Sequence, residues 1–384
     1  MNLEPGAKRR HKGKSNHAIR IIIAGGGTGG HLFPAIAIAQ EFMARDPENK
    51  VIFVSTGNPF ELSVLDKAGF ILEKITAEGI KGRGLLRQLR SMWKIPMGIF
   101  ESIRIIKNFK PDLVMGVGSY AAGPVAIGAW FMRKKLILHE QNILPGITNR
   151  ILSRFADRIY VSFKNTKANF KPGKVLYTGN PLRKEFLRKA KENKDTNTTT
   201  ATKDFTFTVL ILGGSQGAHS INEAVINALE HFKEKHNFYF IHQTGKQDEA
   251  KVKKAYKDQG ISCMVKSFFD DMAEQYQRAN LIICRAGATT VAELAAVGKG
   301  VIFIPFPFAA DNHQVLNART FTEAGAAEMI LQKDLTGSVL AERIEYYMSN
   351  PNVLELMASR SKMLGRPDAA KVIVEDCYKL IRNN

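Results

Sequence analysis

Ile21-Ile22-Ile23-Ala24-Gly25-Gly26-Gly27-Thr28-Gly29-Gly30-His31, with Pro34 shortly after, is the stretch that decides how this chain folds. An apolar run ends abruptly in glycines, and Gly25, Gly27 and Gly30 satisfy G-x-G-x-x-G. Such a turn joins a buried strand to a helix whose free N–H groups and partial positive charge suit an anion. A second turn, Gly213-Gly214-Ser215-Gln216-Gly217-Ala218, follows the run Phe207–Leu212 about half a chain later. Each turn opens its own alternation of strands and helices, so the chain reads as two nucleotide-type domains facing each other.

Working outward, the first half gives strands at Ile19–Ala24, Val51–Ser55, Leu113–Gly116, Lys135–His139, Arg158–Ser162 and Val175–Thr178. The second half repeats the pattern at Phe207–Leu212, Phe238–His242, Cys263–Lys266, Leu281–Cys284, Val301–Ile304 and Glu328–Leu331. Continuous Val/Ile/Leu runs separated by helical stretches indicate parallel strands covered on both faces. The expected class is therefore α/β, two doubly wound parallel sheets with ligands at the carboxyl ends of the strands. Expected units are a basic tail over 1–17, a first domain over 18–182, a polar linker over 183–204 and a second domain over 205–366. A final helix over 367–384, capped by Asp368, is a candidate to pack back on the first domain.

The 384 residues are enough for two cored domains, and 45% hydrophobic with 24% charged residues is a globular composition. Three scattered cysteines make neither a disulfide framework nor a zinc cluster, which fits a reducing compartment. No signal-type apolar region opens the chain. The longest nearly apolar stretch, Ala121–Met132, is shorter than the ~18 residues that span a bilayer. The net charge of +19 is lopsided: residues 1–181 carry 28 Lys/Arg against 12 Asp/Glu, and residues 182–384 carry 27 against 24. A basic first half points to an anionic partner, whether nucleic acid, phospholipid or a phosphorylated substrate.

The glycine turn alone suggests a dinucleotide, but that reading needs an acid at the end of the second strand. Here the strand ends Val54-Ser55-Thr56-Gly57, with none. In the second half, Arg285-Ala286-Gly287-Ala288-Thr289-Thr290-Val291-Ala292-Glu293 opens a helix that aims N–H groups at a phosphate. Glu293, one turn in, either accepts ribose hydroxyls or complements the helix dipole. No aspartate pair or histidine cluster has metal-ligand spacing, so no metal and no cofactor are expected. A leaving diphosphate would then rest on helix ends and fixed cations, for which Arg183, just past Gly179-Asn180-Pro181, is suited.

Together these segments closely resemble the MurG family of bacterial transferases. The matching stretches are Gly26 to His31 with Pro34, Gly116 to Pro124, His139-Glu140-Gln141-Asn142, Gly179-Asn180-Pro181, Gly213 to Ala218, Phe269-Asp270-Asp271-Met272, Cys284 to Glu293, and Asp311 to Gln314. The resemblance implies a GT-B architecture and a metal-independent, inverting transfer of N-acetylglucosamine (GlcNAc) from UDP-GlcNAc to undecaprenyl-linked lipid I, giving lipid II for peptidoglycan. It implies donor contacts at Thr28, Gly29, Gly30, Asn142, Arg183, Ser215, Phe269, Ala288, Thr289, Thr290, Val291, Ala292, Glu293 and Gln314. His31 matches the family's candidate base, and Glu140 lies in a segment lining the same cleft; both stand as candidates for that role. A histidine titrating near neutrality suits proton abstraction from the acceptor hydroxyl. The first turn is expected to receive the acceptor's diphosphate. Ser119 stands where many family members have a second glycine, and the Glu185–Asp204 stretch is longer than usual.

Between Gly79 and Phe100 there are five basic residues and no acid. Arg83, Arg87, Arg90 and Lys94 share one helical stripe, Lys81 precedes them, and Leu86, Leu89 and Trp93 make a neighbouring apolar one. This is the profile of a segment that lies on anionic lipid. With a polyprenyl-anchored acceptor it implies a peripheral protein on the cytoplasmic face of the inner membrane, near cell-wall synthesis and division proteins. A soluble transferase or a 2-epimerase using UDP-GlcNAc is the alternative on the same fold. No nucleic-acid-binding signature accompanies the charge.

Overall fold

The computed structural model describes residues 18–78, 85–188, 207–213 and 217–382, with the side chains of 85–93 and Lys167 outside that description. The basic tail, the stretch 189–204, Ser215, and the side chains of Lys81, Arg83, Arg87, Arg90 and Trp93 therefore lie outside the described residues.

Two parallel sheets form two lobes. The first contains β1 (Arg20–Ala24), β2 (Lys50–Ser55), β3 (Ile71–Lys74), β4 (Leu113–Gly116), β5 (Lys135–Glu140), β6 (Arg158–Val161) and β7 (Val175–Tyr177), in the order β3-β2-β1-β4-β5-β6-β7. The second contains β8 (Phe207–Leu212), β9 (Phe238–Gln243), β10 (Ser262–Lys266), β11 (Leu281–Cys284), β12 (Gly300–Phe303) and β13 (Glu328–Met329), in the order β10-β9-β8-β11-β12-β13. Both are Rossmann-type orders. In each, the direction of winding reverses beside the strand that ends in a glycine turn, which is where such sheets open a crevice. Ile22 pairs between Ile52 and Val114, and Ile21, Ile22 and Ile23 are fully buried, as continuous apolar strands covered on both faces must be.

All twelve strands expected from the sequence are present, to within two residues at their ends. The addition is β3, a four-residue edge strand, Ile-Leu-Glu-Lys, with three of its side chains exposed. An exposed edge gains little from apolar residues, so it carries no continuous hydrophobic run.

Helix α1 (Gly29–Arg45) begins at the first glycine turn and buries Ala35, Ile38, Ala39 and Phe42 against the sheet. Pro34 lies inside it, one turn later than a first-position proline would. Lacking an N–H, Pro34 leaves the Gly30 carbonyl without its intrahelical partner. Helix α2 (Pro59–Lys67) starts with a capping box between Asn58 and Glu61. Helices α3 (Leu85–Phe109), α4 (Ala122–Phe131) and α5 (Ile147–Leu152) complete that lobe. In the second lobe, α6 (Ala288–Val297) follows β11 and α7 (His313–Glu323) follows β12.

The last helix, α8 (Ala369–Arg382), returns to the first lobe and packs along α1. Ile373, Val374, Cys377 and Tyr378 join that lobe's core. Asn49 Nδ2 donates to the Tyr378 hydroxyl at 2.8 Å, and Arg158 pairs with Asp376 at 2.9 Å. Burial of each large apolar side chain contributes about 1.5–3 kcal/mol, so this helix is fastened by its hydrophobic stripe more than by its ion pair.

Candidate active site

The first glycine turn is closed largely by the protein itself. Gly25 N donates to Val54 O at 3.0 Å, and Gly26 N donates to Ser119 Oγ at 3.3 Å. Gly27 N donates to the carboxylate of Glu61, which is fully buried and also accepts from Ser55 Oγ (2.7 Å), Gly57 N (3.0 Å) and Asn58 N (3.0 Å). An internal carboxylate thus already serves as the anion for Gly27. The amides that helix geometry leaves without intrahelical acceptors are those of the first turn of α1, Gly29 and Gly30 among them. Thr28, the N-cap, and Gly30 are exposed at this point. β2 ends without an acid, and Glu61, six residues downstream in α2, reaches back to the turn with its carboxylate taken up by protein donors instead of a ribose.

A second loop, Val117–Ser119 after β4, presses on this turn. A side chain at Gly25 would place its Cβ 2.2 Å from the Gly118 carbonyl oxygen. Gly118 has φ +96°, and a Cβ there would lie 3.0 Å from Cε1 of His31. Ser119, the departure from the family's glycine, has φ +66°. It occupies the left-handed region that glycine favours, at a cost of roughly 1–2 kcal/mol, offset by its bond from Gly26 N.

His31, in the first turn of α1, points Nδ1 at Gln141 Oε1, 2.9 Å away. Burial lowers its pKa from the ordinary value, with Gln141 and the Val117 carbonyl opposing, so the ring is neutral at neutral pH. Glu140, at the end of β5, is buried and fully engaged: Oε1 accepts from Asn142 N at 2.9 Å, and Oε2 accepts from Gly146 N at 3.1 Å and Asn149 Nδ2 at 2.9 Å. Burial raises its pKa while these donors oppose the rise. Its geometry organises the 142–149 segment.

Across the cleft, α6 begins at Gly287, in extended conformation. Thr289 Oγ1 donates to the free Gly30 carbonyl at 3.2 Å, and Asn180 Nδ2 reaches Thr289 Oγ1 at 3.4 Å. The starts of α1 and α6, one from each lobe, therefore meet. Asn142 also bridges lobes, its Oδ1 accepting from Asn317 Nδ2 at 3.3 Å. Gln314 Oε1 accepts from Phe306 N at 3.0 Å, and Phe269 N donates to Gln243 Oε1 at 3.1 Å. The Phe269 amide is thus occupied and its ring is in the core.

Glu293 is buried and accepts Arg183 Nη2 at 3.0 Å and Nε at 3.3 Å, with the Tyr276 hydroxyl at 3.5 Å. Burial pushes the Glu293 carboxyl up, and the Arg183 guanidinium beside it pulls the other way. Arg183 also stacks on Phe33 and Phe186, each 4.6 Å from ring centroid, and pairs with Glu185 at 2.9 Å. It joins the linker, α1 and α6. Ala288, Val291 and Ala292 line an interlobe cavity of about 220 Å³ shared with Ser162, Asn180 and Arg366. None of residues 28–31 lines that cavity. Thr290 is partly exposed near the same helix start.

A separate surface lies on α3, α4 and α5. Met97, Phe100, Trp130, Phe131, Ile147 and Ile151 are all exposed, and Trp130 packs at a tilt against Phe131 and Phe155. Of the basic stripe, Lys94 pairs with Glu78 at 2.8 Å. In the sequence Trp130, Phe131, Ile147 and Ile151 give no sign of this surface, because each looks like a core residue of a short apolar helix. Among the described residues, no helix is long and apolar enough to cross a membrane.

Two Rossmann-like lobes with opposed helix starts define a GT-B glycosyltransferase fold. Residues 21–161 match the glycosyltransferase family 28 N-terminal domain and residues 208–373 its C-terminal domain. A UDP-N-acetylglucosamine--N-acetylmuramyl-(pentapeptide) pyrophosphoryl-undecaprenol N-acetylglucosamine transferase of Syntrophus aciditrophicus is 45% identical over 95% of this chain and 99% of its own. The relative of the same name from Myxococcus xanthus is 42% identical over 94% and 93%. The crystal structure of Acinetobacter baumannii MurG superposes with a TM-score of 0.76 at 30% identity, covering 95% of this chain and all of that one. A UDP-GlcNAc 2-epimerase from Neisseria meningitidis, at 15% identity and TM-score 0.66 over 94% and 100%, shares the fold alone. The chain belongs to the MurG family within glycosyltransferase family 28.

Proposed function

We propose that this chain transfers GlcNAc from UDP-GlcNAc to the 4-hydroxyl of the muramoyl sugar in undecaprenyl-diphospho-MurNAc-pentapeptide, inverting the anomeric carbon. The family supports the reaction; the meeting of the α1 and α6 starts beside His31 is the observation that carries the site. Two helix N-termini present free amides where a diphosphate would lie, and the neutral imidazole sits at the edge of the same opening. His31 takes the acceptor proton, and Glu140 holds the loop beside it. Thr28, Gly29 and Gly30 face the junction of donor and acceptor. Ser215, Thr289, Thr290, Glu293, Gln314, Asn142 and the Phe269 backbone hold the donor, while Ala288, Val291 and Ala292 support it through the backbone of α6. Arg183 fixes Glu293 for the ribose.

The exposed apolar residues of α3, α4 and α5, with the basic stretch through Lys94, form the face that rests on anionic lipid at the cytoplasmic side of the membrane. Binding there brings the lipid-anchored acceptor to the first lobe. The deciding experiment is transfer of labelled GlcNAc from UDP-GlcNAc to a lipid I analogue, with and without EDTA. EDTA-insensitive, acceptor-dependent transfer is expected. Epimerisation or hydrolysis without the lipid acceptor would favour the soluble alternative.

A further inference from the structure

The hydrogen bonds around Gln141 determine which nitrogen of His31 carries its proton. Gln141 Nε2 lies 2.9 Å from the Val117 carbonyl oxygen, which can only accept. That contact fixes the side-chain amide: the nitrogen faces Val117, and the oxygen must face the other way. The second N–H of Nε2 meets Nδ1 of His139 at 3.1 Å, so that nitrogen of His139 is an acceptor without a proton. The remaining atom, Oε1, lies 2.9 Å from Nδ1 of His31 and cannot donate. Nδ1 of His31 must therefore carry hydrogen. In a neutral imidazole the other nitrogen, Nε2, then holds the lone pair.

The anchors are rigid. Gln141 is buried, His139 is fully buried, and Val117 belongs to the loop pressed against Gly25. His139 stays neutral because burial holds its pKa down to about 3, so it remains an acceptor for the amide. Gln141 thus has no alternative orientation that keeps all three of its contacts satisfied.

We propose that Gln141 is a positioning residue that locks His31 in its Nδ1–H tautomer, leaving Nε2 free to take the proton of the acceptor hydroxyl. This rests on the reading of His31 as the base. In the step, the hydroxyl proton passes to His31 Nε2, the oxygen bonds to the anomeric carbon, and the electron pair of the breaking bond leaves with UDP. The imidazolium formed keeps its Nδ1–H bond to Gln141 Oε1.

The test combines kinetics with nitrogen NMR of ¹⁵N-histidine-labelled full-length enzyme. The wild type is expected to show His31 as the Nδ1–H tautomer. Gln141→Met is expected to lose that preference and to lower kcat about 10–100-fold with the KM for UDP-GlcNAc within about twofold. An Nε2–H tautomer in the wild type overturns the proposal even where the methionine variant does not fold. So does an unchanged tautomer or unchanged kcat in Gln141→Met. Wild-type turnover in His31→Ala instead removes the base assignment and is a separate outcome, because the tautomer is read without turnover.

Discussion

At the scale of single residues, His31 and Glu140 part company. Their motifs give each a claim to the same proton, but three donors hold the Glu140 carboxylate while Gln141 leaves one nitrogen of His31 open. His31→Ala is expected to lower kcat by about 100–10,000-fold, the usual contribution of a general base, with the KM for UDP-GlcNAc little changed. The sign of its pH dependence follows from burial. A lowered histidine pKa keeps the base unprotonated at neutral pH, so the acidic limb of kcat/KM is expected below about 6.5 and to vanish with His31. Glu140→Gln is expected to act on stability first, since the amide nitrogen meets donors where an acceptor is needed; the midpoint of urea unfolding measures it. The importance of Gln141 is not legible from its place in the sequence. A glutamine beside two conspicuous polar residues gives no sign that a carbonyl 24 positions earlier sets its orientation.

At the scale of elements, strands and glycine turns were legible because buried parallel strands need uninterrupted apolar runs and tight turns need glycine. The edge strand β3 lacked that signal, and the role of Glu61 as the internal anion of the first turn was not legible because it reaches back from α2. Glu61→Gln is expected to destabilise the first lobe by about 2–4 kcal/mol, since four donors converge on a carboxylate and an amide offers one oxygen. Thermal unfolding with and without UDP-GlcNAc checks this; a shift below about 0.5 kcal/mol would contradict the role given to that carboxylate. Helices α4 and α5 make a second case. Their exposed aromatic and aliphatic side chains resemble core in the sequence, and only the packing shows which face is left open. Replacing Trp130 and Phe131 with serine is expected to weaken binding to anionic vesicles severalfold while transfer to a short-chain, water-soluble acceptor is retained; co-sedimentation measures the first.

For the whole molecule, the two lobes carry matching buried histidines, His139 in β5 and His242 in β9, both held down to about pKa 3 by burial. In the unfolded chain each returns to about 6.5. Above that value neither state binds the proton. As the pH falls through it, the unfolded chain takes up protons the folded chain refuses, so stability drops by up to ~1.4 kcal/mol per pH unit per histidine until about pH 3. Urea midpoints between about pH 7.5 and 5 are expected to fall, and His242→Asn to flatten the decline. The bilobal plan was readable in the repeated glycine turns, whereas the return of α8 to the first lobe was readable only as a candidate, because an amphipathic stripe does not say which partner it covers. Pro34 has one more consequence for the pair of lobes. The carbonyl it releases on Gly30 belongs to no helix ladder, so when Thr289 draws away, water takes its place without any backbone bond being broken. Parting the lobes at this contact costs the Thr289 hydroxyl its bonds to the Gly30 carbonyl and Asn180 Nδ2 and leaves α1 intact, so the lobes can separate here without unwinding that helix.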